Sequence, residues 1–91
     1  MSSTQVMEGN ALFDGILDVT ERICRIGDIP DVGPDQVMYE AGFSSIDALD
    51  LLVDLEDAYR VSISDEDFMQ AQTPRALYTL ISRLRKEQRR S

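Results

Sequence analysis

Apolar residues return at helical spacing in three stretches of this chain, and no stretch shows the strict alternation of a paired strand. From Asn10 onward Leu12, Ile16, Val19, Ile23 and Ile26 recur at steps of four, three, four and three, which is one face of an amphipathic helix ending near Gly27. Residues 1–9 are polar and without clear period, and read as a flexible leader. Cys24, beside Ile23, falls on the flank of the apolar face and reads as a small core side chain. The segment Asp28-Ile29-Pro30-Asp31-Val32-Gly33-Pro34-Asp35 then forbids regular structure through its two prolines and its glycine. A loop this long in a small domain is either functional or pinned by its own side chains, and Val37, Met38 and Tyr39 supply candidate anchors before Gly42.

The second helix is predicted from Ser44 or Ser45 to about Tyr59. Ser44-Ser45-Ile46-Asp47 fits a capping box, with Ser44 as the cap and Asp47 at the third helical position. Ser64-Asp65-Glu66-Asp67 opens a short third helix by the same serine-x-x-acid device, after an extended connector at Val61-Ser62-Ile63. Thr73-Pro74 places a cap and then a proline at the first position of a fourth helix, whose buried stripe is Ala76, Leu77, Leu80, Ile81 and Leu84. The expected fold class is all-α: a small four-helix bundle of three main helices and one short one, with a long loop between helices 1 and 2. The expected organisation is a leader over 1–9, one domain over 10–86 and a basic tail over 87–91.

At 91 residues the chain has room for one small domain with a thin core, in which a buried multi-residue catalytic pocket is hard to house. It contains one cysteine and no histidine. That excludes an internal disulfide, a thiolate–imidazole zinc site and every Ser-His-Asp or Cys-His catalytic arrangement. No apolar run is longer than three residues, as in Leu51-Leu52-Val53, far short of the ~20 residues that cross a bilayer. The sequence Met1-Ser2-Ser3-Thr4-Gln5-Val6-Met7-Glu8 lacks the basic and apolar regions of an export signal, so a cytoplasmic location is expected. The net charge of −8 disfavours nucleic acid as a partner and favours a basic protein. Charge is uneven: residues 82–91 hold five basic residues against one acid, while residues 1–81 hold four against sixteen. The basic end suits the C-terminal pole of a helix dipole and solubility.

The second helix carries the chain's most distinctive pattern. Wound at 100° per residue, Asp47, Asp50, Asp54 and Asp57 fall within a sector about 80° wide, so like charges are direct neighbours with no basic residue of the same helix to offset them. A solvated face needs charge but not charge of one sign. The stripe reads as a docking surface for a basic partner, against the plainer reading of a merely soluble face. Ile46, Leu49 and Val53 lie beside it on an apolar face broader than a small bundle buries, so they are either part-exposed contact residues or core. With Ser44 as the cap, Ser45 sits at the first helical position with a free, outward hydroxyl, where unpaired N–H groups and the dipole favour an attached phosphate. Taken alone, a serine at a helix start is most simply a cap.

Gly42-Phe43-Ser44-Ser45-Ile46-Asp47, followed by an acidic amphipathic helix, resembles the acyl carrier protein family, whose attachment motif is glycine, any residue, aspartate, serine, leucine. The resemblance continues through Leu55-Glu56-Asp57-Ala58-Tyr59, Val61-Ser62-Ile63-Ser64-Asp65-Glu66-Asp67 and Thr73-Pro74-Arg75-Ala76-Leu77, and covers residues 10–85 in register. It implies that Ser45 bears 4′-phosphopantetheine, transferred from coenzyme A by a phosphopantetheinyl transferase. It also implies that Ile46, Asp47, Leu49, Asp50, Val53, Glu56 and Asp57 match partner-recognition positions; Asp54 joins them on the helical-wheel argument alone. Ser44 stands where the family usually has aspartate, Ile46 where it has leucine, and Ser64 where it often has proline. Serine still caps a helix, but the negative charge beside the attachment site is missing.

The implied function is that of a monomeric, non-enzymatic carrier. It would hold an acyl group as a thioester and deliver it to acyltransferase, ketosynthase or adenylating partners through their basic surfaces. A dedicated polyketide or mixed polyketide–peptide pathway is the expectation, with housekeeping fatty-acid synthesis or a peptidyl carrier as alternatives. From another class, the chain reads as a non-carrying helical interaction scaffold. Calcium binding lacks the D-x-[DN]-x-[DN]-G loop it requires.

Overall fold

A computed structural model of the chain describes the backbone of residues 3–89 and the side chains of residues 12–88. The architecture is a helical bundle: α1 (Ser3–Gly27), α2 (Ser45–Tyr59), the short α3 (Asp65–Gln70) and α4 (Pro74–Arg89). The chain is all-α among the described residues, and α1 packs on both α2 and α4. No helix among them is long and apolar enough to cross a membrane.

Two boundaries differ from the sequence expectation. Helix α1 begins at Ser3, so all but Met1 and Ser2 of the expected leader is helical, those two lying outside the described residues. Gln5, Met7 and Glu8 are good helix formers, and extending a nucleated helix backwards is far easier than starting one. At the other end α4 continues to Arg89 through most of the expected tail; Arg90 and Ser91 lie outside the described residues. Gln88 anchors that last turn: its side-chain amide accepts from Ser62 N–H at 3.0 Å and donates to Ser62 C=O at 2.9 Å.

The core gathers one face from each helix. Val19 and Ile23 of α1, Leu51 and Leu55 of α2, Phe68 of α3, and Leu77, Leu80, Ile81 and Leu84 of α4 are buried together. Leu12 belongs to the predicted stripe but stands exposed, one turn before Ile16, which is buried. The long loop is pinned, though only in part by the expected anchors: Met38 is buried, Val37 and Tyr39 are half-buried, and Val32 and Phe43, which spacing did not single out, are buried with Met38. A 3₁₀ turn at Met38–Ala41, which the periodicity did not reveal, carries Met38 inward. Met38 N–H donates to Gln72 C=O and Arg75 N–H to Pro34 C=O, both at 2.9 Å, and the Arg75 guanidinium grips Asp35 at 2.8 Å.

Two glycines set the approach to α2. A side-chain carbon on Gly27 would lie 2.6 Å from the Phe43 ring, so the end of α1 accepts that ring only because it is bare. The left-handed residue that ends α1 is instead Asp28 (φ 53°), with Ile29 N–H bonding back to Cys24 C=O at 3.1 Å. Gly42 has φ 114°, a conformation other residues rarely adopt, and turns the chain from the 3₁₀ segment into Phe43 and the start of α2.

Candidate functional site: the start and outer face of α2

Helix α2 starts as its sequence demands. Asp47 N–H donates to Ser44 Oγ at 3.1 Å and Ser44 N–H donates to Asp47 Oδ2 at 3.0 Å, a complete capping box. Ser44 Oγ is therefore engaged, while Ser45, the first residue of the helix, is exposed. Its hydroxyl takes part in no side-chain hydrogen bond among the described residues and stands at the helix's positive pole. Ser45 also edges a groove of about 380 Å³ between α2 and α3, floored by Tyr39, Ala48, Leu49, Leu52, Phe68 and Met69, with Asp65 at the rim.

The outer face of α2 is apolar where a bundle helix is usually polar. Ile46, Leu49 and Val53 are 73%, 66% and 65% exposed, and Met69 of α3 is 65% exposed beside Leu49 across the groove. The open alternative for these three residues is thereby decided: they are surface and not core. Met69 was missed as a site residue. Its signal was available, since Phe68 and Met69 are adjacent in a six-residue helix and cannot both turn inward.

The acidic stripe divides into two kinds of carboxylate. Asp50 and Asp57 are exposed, without an ion-pair partner among the described residues, next to the apolar patch. The other acids of α2, including Glu56 outside the stripe, have duties inside the fold. Asp47 caps its own helix, and Glu56 Oε2 accepts from Ile63 N–H at 2.9 Å, holding the α2–α3 connector. Asp54, placed by the wheel among the docking residues, turns towards α1. Its Oδ2 lies 2.8 Å from Arg22 Nη1 and 3.9 Å from Arg25 Nη2, so the stripe is offset after all, by a neighbouring helix.

Arg22 is the hub of that contact. Its Nε donates to Asp18 at 2.8 Å, Tyr59 O–H donates to the same Asp18 oxygen, and the Tyr59 ring lies against the Arg22 and Arg85 guanidiniums, each 5.9 Å from its centroid. Burial pushes the Asp18 carboxyl up, but the hydrogen bonds from Arg22 and Tyr59 and the charges of Arg22 and Arg25 outweigh it and hold the group below its ordinary value. Burial and the Asp18 carboxylate together raise the Tyr59 hydroxyl. Since the folded form binds the Asp18 proton less tightly than the unfolded chain, its contribution is intact above the unfolded pKa of about 3.9 and is lost as pH falls through the lower folded value. Asp18→Asn is expected to cost about 1 kcal/mol at pH 7, a figure discounted for partial exposure, and the gap to wild type to close below about pH 4. Urea unfolding at the two pH values measures it; a gap that persists in acid would show that the loss is packing and not charge.

A model of the phosphopantetheine attachment site family matches residues 14–81. The chain belongs to that family. Its cofactor is 4′-phosphopantetheine, attached covalently, and the chain is a carrier and not itself an enzyme. The residues fit that group: a free, exposed hydroxyl at Ser45, at a helix N-terminus that favours phosphate, opening on a groove. No curated protein matches the chain. Among solved structures, a chain in the solution structure of a non-covalent extended docking domain complex of the Pax NRPS (PaxA T1-CDD/PaxB NDD) is similar in fold. It has a TM-score of 0.73 at 19% identity, over 80% of this chain and 70% of that one.

Proposed function

We propose that this carrier holds an apolar acyl group on Ser45-linked phosphopantetheine and delivers it to successive enzymes of a dedicated polyketide or mixed polyketide–peptide pathway in the cytoplasm. The observation that carries the reading is the groove beside Ser45, whose floor is entirely apolar apart from the Tyr39 hydroxyl and whose one charged neighbour, Asp65, is anionic. An alkyl chain gains by lying there, whereas the carboxylate gives an acyl group with further anionic charge nothing to pair with. When attached, the arm supplies a terminal thiol on which the cargo rides as a thioester. Selecting partners falls to the chain's own residues. Ile46, Leu49 and Val53 offer an apolar centre, and Asp50 and Asp57 an acidic edge, which suits basic docking sites on the phosphopantetheinyl transferase and on acyltransferase, ketosynthase or adenylating enzymes.

Cargo chemistry is tested by loading the chain with a medium-length alkanoyl group, with an aminoacyl group or with neither, and measuring Tm. Each buried methylene contributes about 0.8 kcal/mol before ordering costs, and 1 kcal/mol moves Tm by about 4–8 °C in a domain of this size. The alkanoyl form is expected to melt several degrees above the unloaded form and Leu52→Gln to remove the gain. Equal Tm for all three forms, or a gain only for the aminoacyl form, would overturn the acyl assignment.

A further inference from the structure

A second apolar surface lies on α1 and shares no residue with the Ser45 groove. Leu12, Phe13 and Leu17 are 51%, 59% and 42% exposed, and with Val32 and Pro34 of the long loop they line a groove of about 430 Å³. Three large side chains exposed together on one helix are more than the scattered apolar residues of an ordinary surface.

Charge decides what suits this groove. On the loop side Asp31 lines it, exposed. On the helix side, winding α1 at 100° per residue puts Asp14 and Glu21 within about 60° of Leu17, and both are exposed. None of these three carboxylates has an ion-pair partner among the described residues, while the one cation in the lining, Arg75, is already bound by Asp35. The groove is an apolar floor between acidic banks. A second copy of the chain is a poor match: its own α1 face would bring like charges together, and its basic helix α4 keeps its apolar stripe in the core.

We propose that the α1 groove is a docking site for a basic amphipathic helix of a partner protein, its apolar face on Phe13 and Leu17 and its lysines or arginines against Asp14, Glu21 and Asp31. Because the two grooves share no residue, such a partner can hold the carrier while Ser45 and the outer face of α2 stay open to enzymes.

The test titrates the full, unmodified chain, followed by NMR, with an 18-residue amphipathic helix of leucine and lysine and with its leucine–glutamate counterpart. The expected result is saturable binding of the lysine peptide, with amide shifts centred on residues 12–17 and 31–33. Phe13→Glu should weaken it about tenfold or more, and Leu17→Gln should weaken it to a smaller degree. Reversing both banks (Asp14→Lys with Asp31→Lys) should shift preference to the glutamate peptide. Circular dichroism confirms that each variant remains helical. The proposal is overturned if no saturable binding occurs, or if shifts centre on Asp50 and Asp57 and ignore Phe13→Glu. It is also overturned if sedimentation shows a wild-type dimer that Phe13→Glu dissociates, since the occupant is then a second copy.

Discussion

Replacing Ser45 by alanine is expected to abolish attachment of phosphopantetheine outright, and Ser44→Ala to leave it intact. The two hydroxyls are neighbours in sequence but not in role. Ser44 Oγ accepts from Asp47 N–H at 3.1 Å, so removing it exposes an unpaired helix donor and costs about 1 kcal/mol without touching the nucleophile. Ser45 has no such duty, and removing it takes away the oxygen proposed to form the phosphodiester. Intact mass after incubation with coenzyme A and a broad-specificity phosphopantetheinyl transferase reads the first effect; urea unfolding reads the second. An increment that survives in Ser45→Ala and disappears in Ser44→Ala would reverse the assignment. A wild-type chain left unmodified by two different transferases would instead make it a non-carrying scaffold.

The second large effect separates carboxylates that the helical wheel groups together. Asp50→Lys and Asp57→Lys are expected to slow association with the transferase about tenfold at low salt, with the difference shrinking as screening grows. Stability should stay within about 0.5 kcal/mol of wild type, as for other exposed positions. Asp54→Lys should behave differently, costing about 2 kcal/mol after discounting for partial exposure, because Arg22 and Arg25 would then face a third cation across the α1–α2 contact. Stopped-flow association across a salt series and urea unfolding separate the two. Wild-type association rates for Asp50→Lys and Asp57→Lys at every salt concentration would remove the acidic docking role. An undiminished stability in Asp54→Lys would mean that Arg22 does not hold α2 to α1 through this pair.

The starts of α2, α3 and α4 are local events, which is why they could be read without a structure. Ser44 with Asp47, Ser64 with Asp67 and Thr73 with Pro74 each close a hydrogen bond or a backbone preference within four residues, and each stands where the pattern placed it. Four of the five residues of the α4 stripe, Leu77, Leu80, Ile81 and Leu84, are buried as spacing alone predicts, for the same reason, and Ala76 is half-buried. That Ser45 keeps a free hydroxyl was legible by subtraction, once Ser44 takes the cap; its role as the attachment residue came from the motif's resemblance and not from spacing.

What spacing did not determine is which neighbour each face meets. The wheel groups Asp54 with Asp50 and Asp57, yet Arg22, 32 residues earlier, claims it. Likewise Gly27 reads only as the glycine that ends a helix until the Phe43 ring is placed against it, and Leu12 reads as core although it stands 51% exposed. Periodicity records how a helix is partitioned around its own axis and nothing about the distance to another axis. The sequence by itself therefore determined the existence of the four α-helices, the caps that start α2, α3 and α4, and the spare hydroxyl. Only the packing of α1 against α2 and α4 decided which acids are free to meet a partner and which apolar residues remain in water, because burial and pairing depend on contacts between segments far apart in the chain.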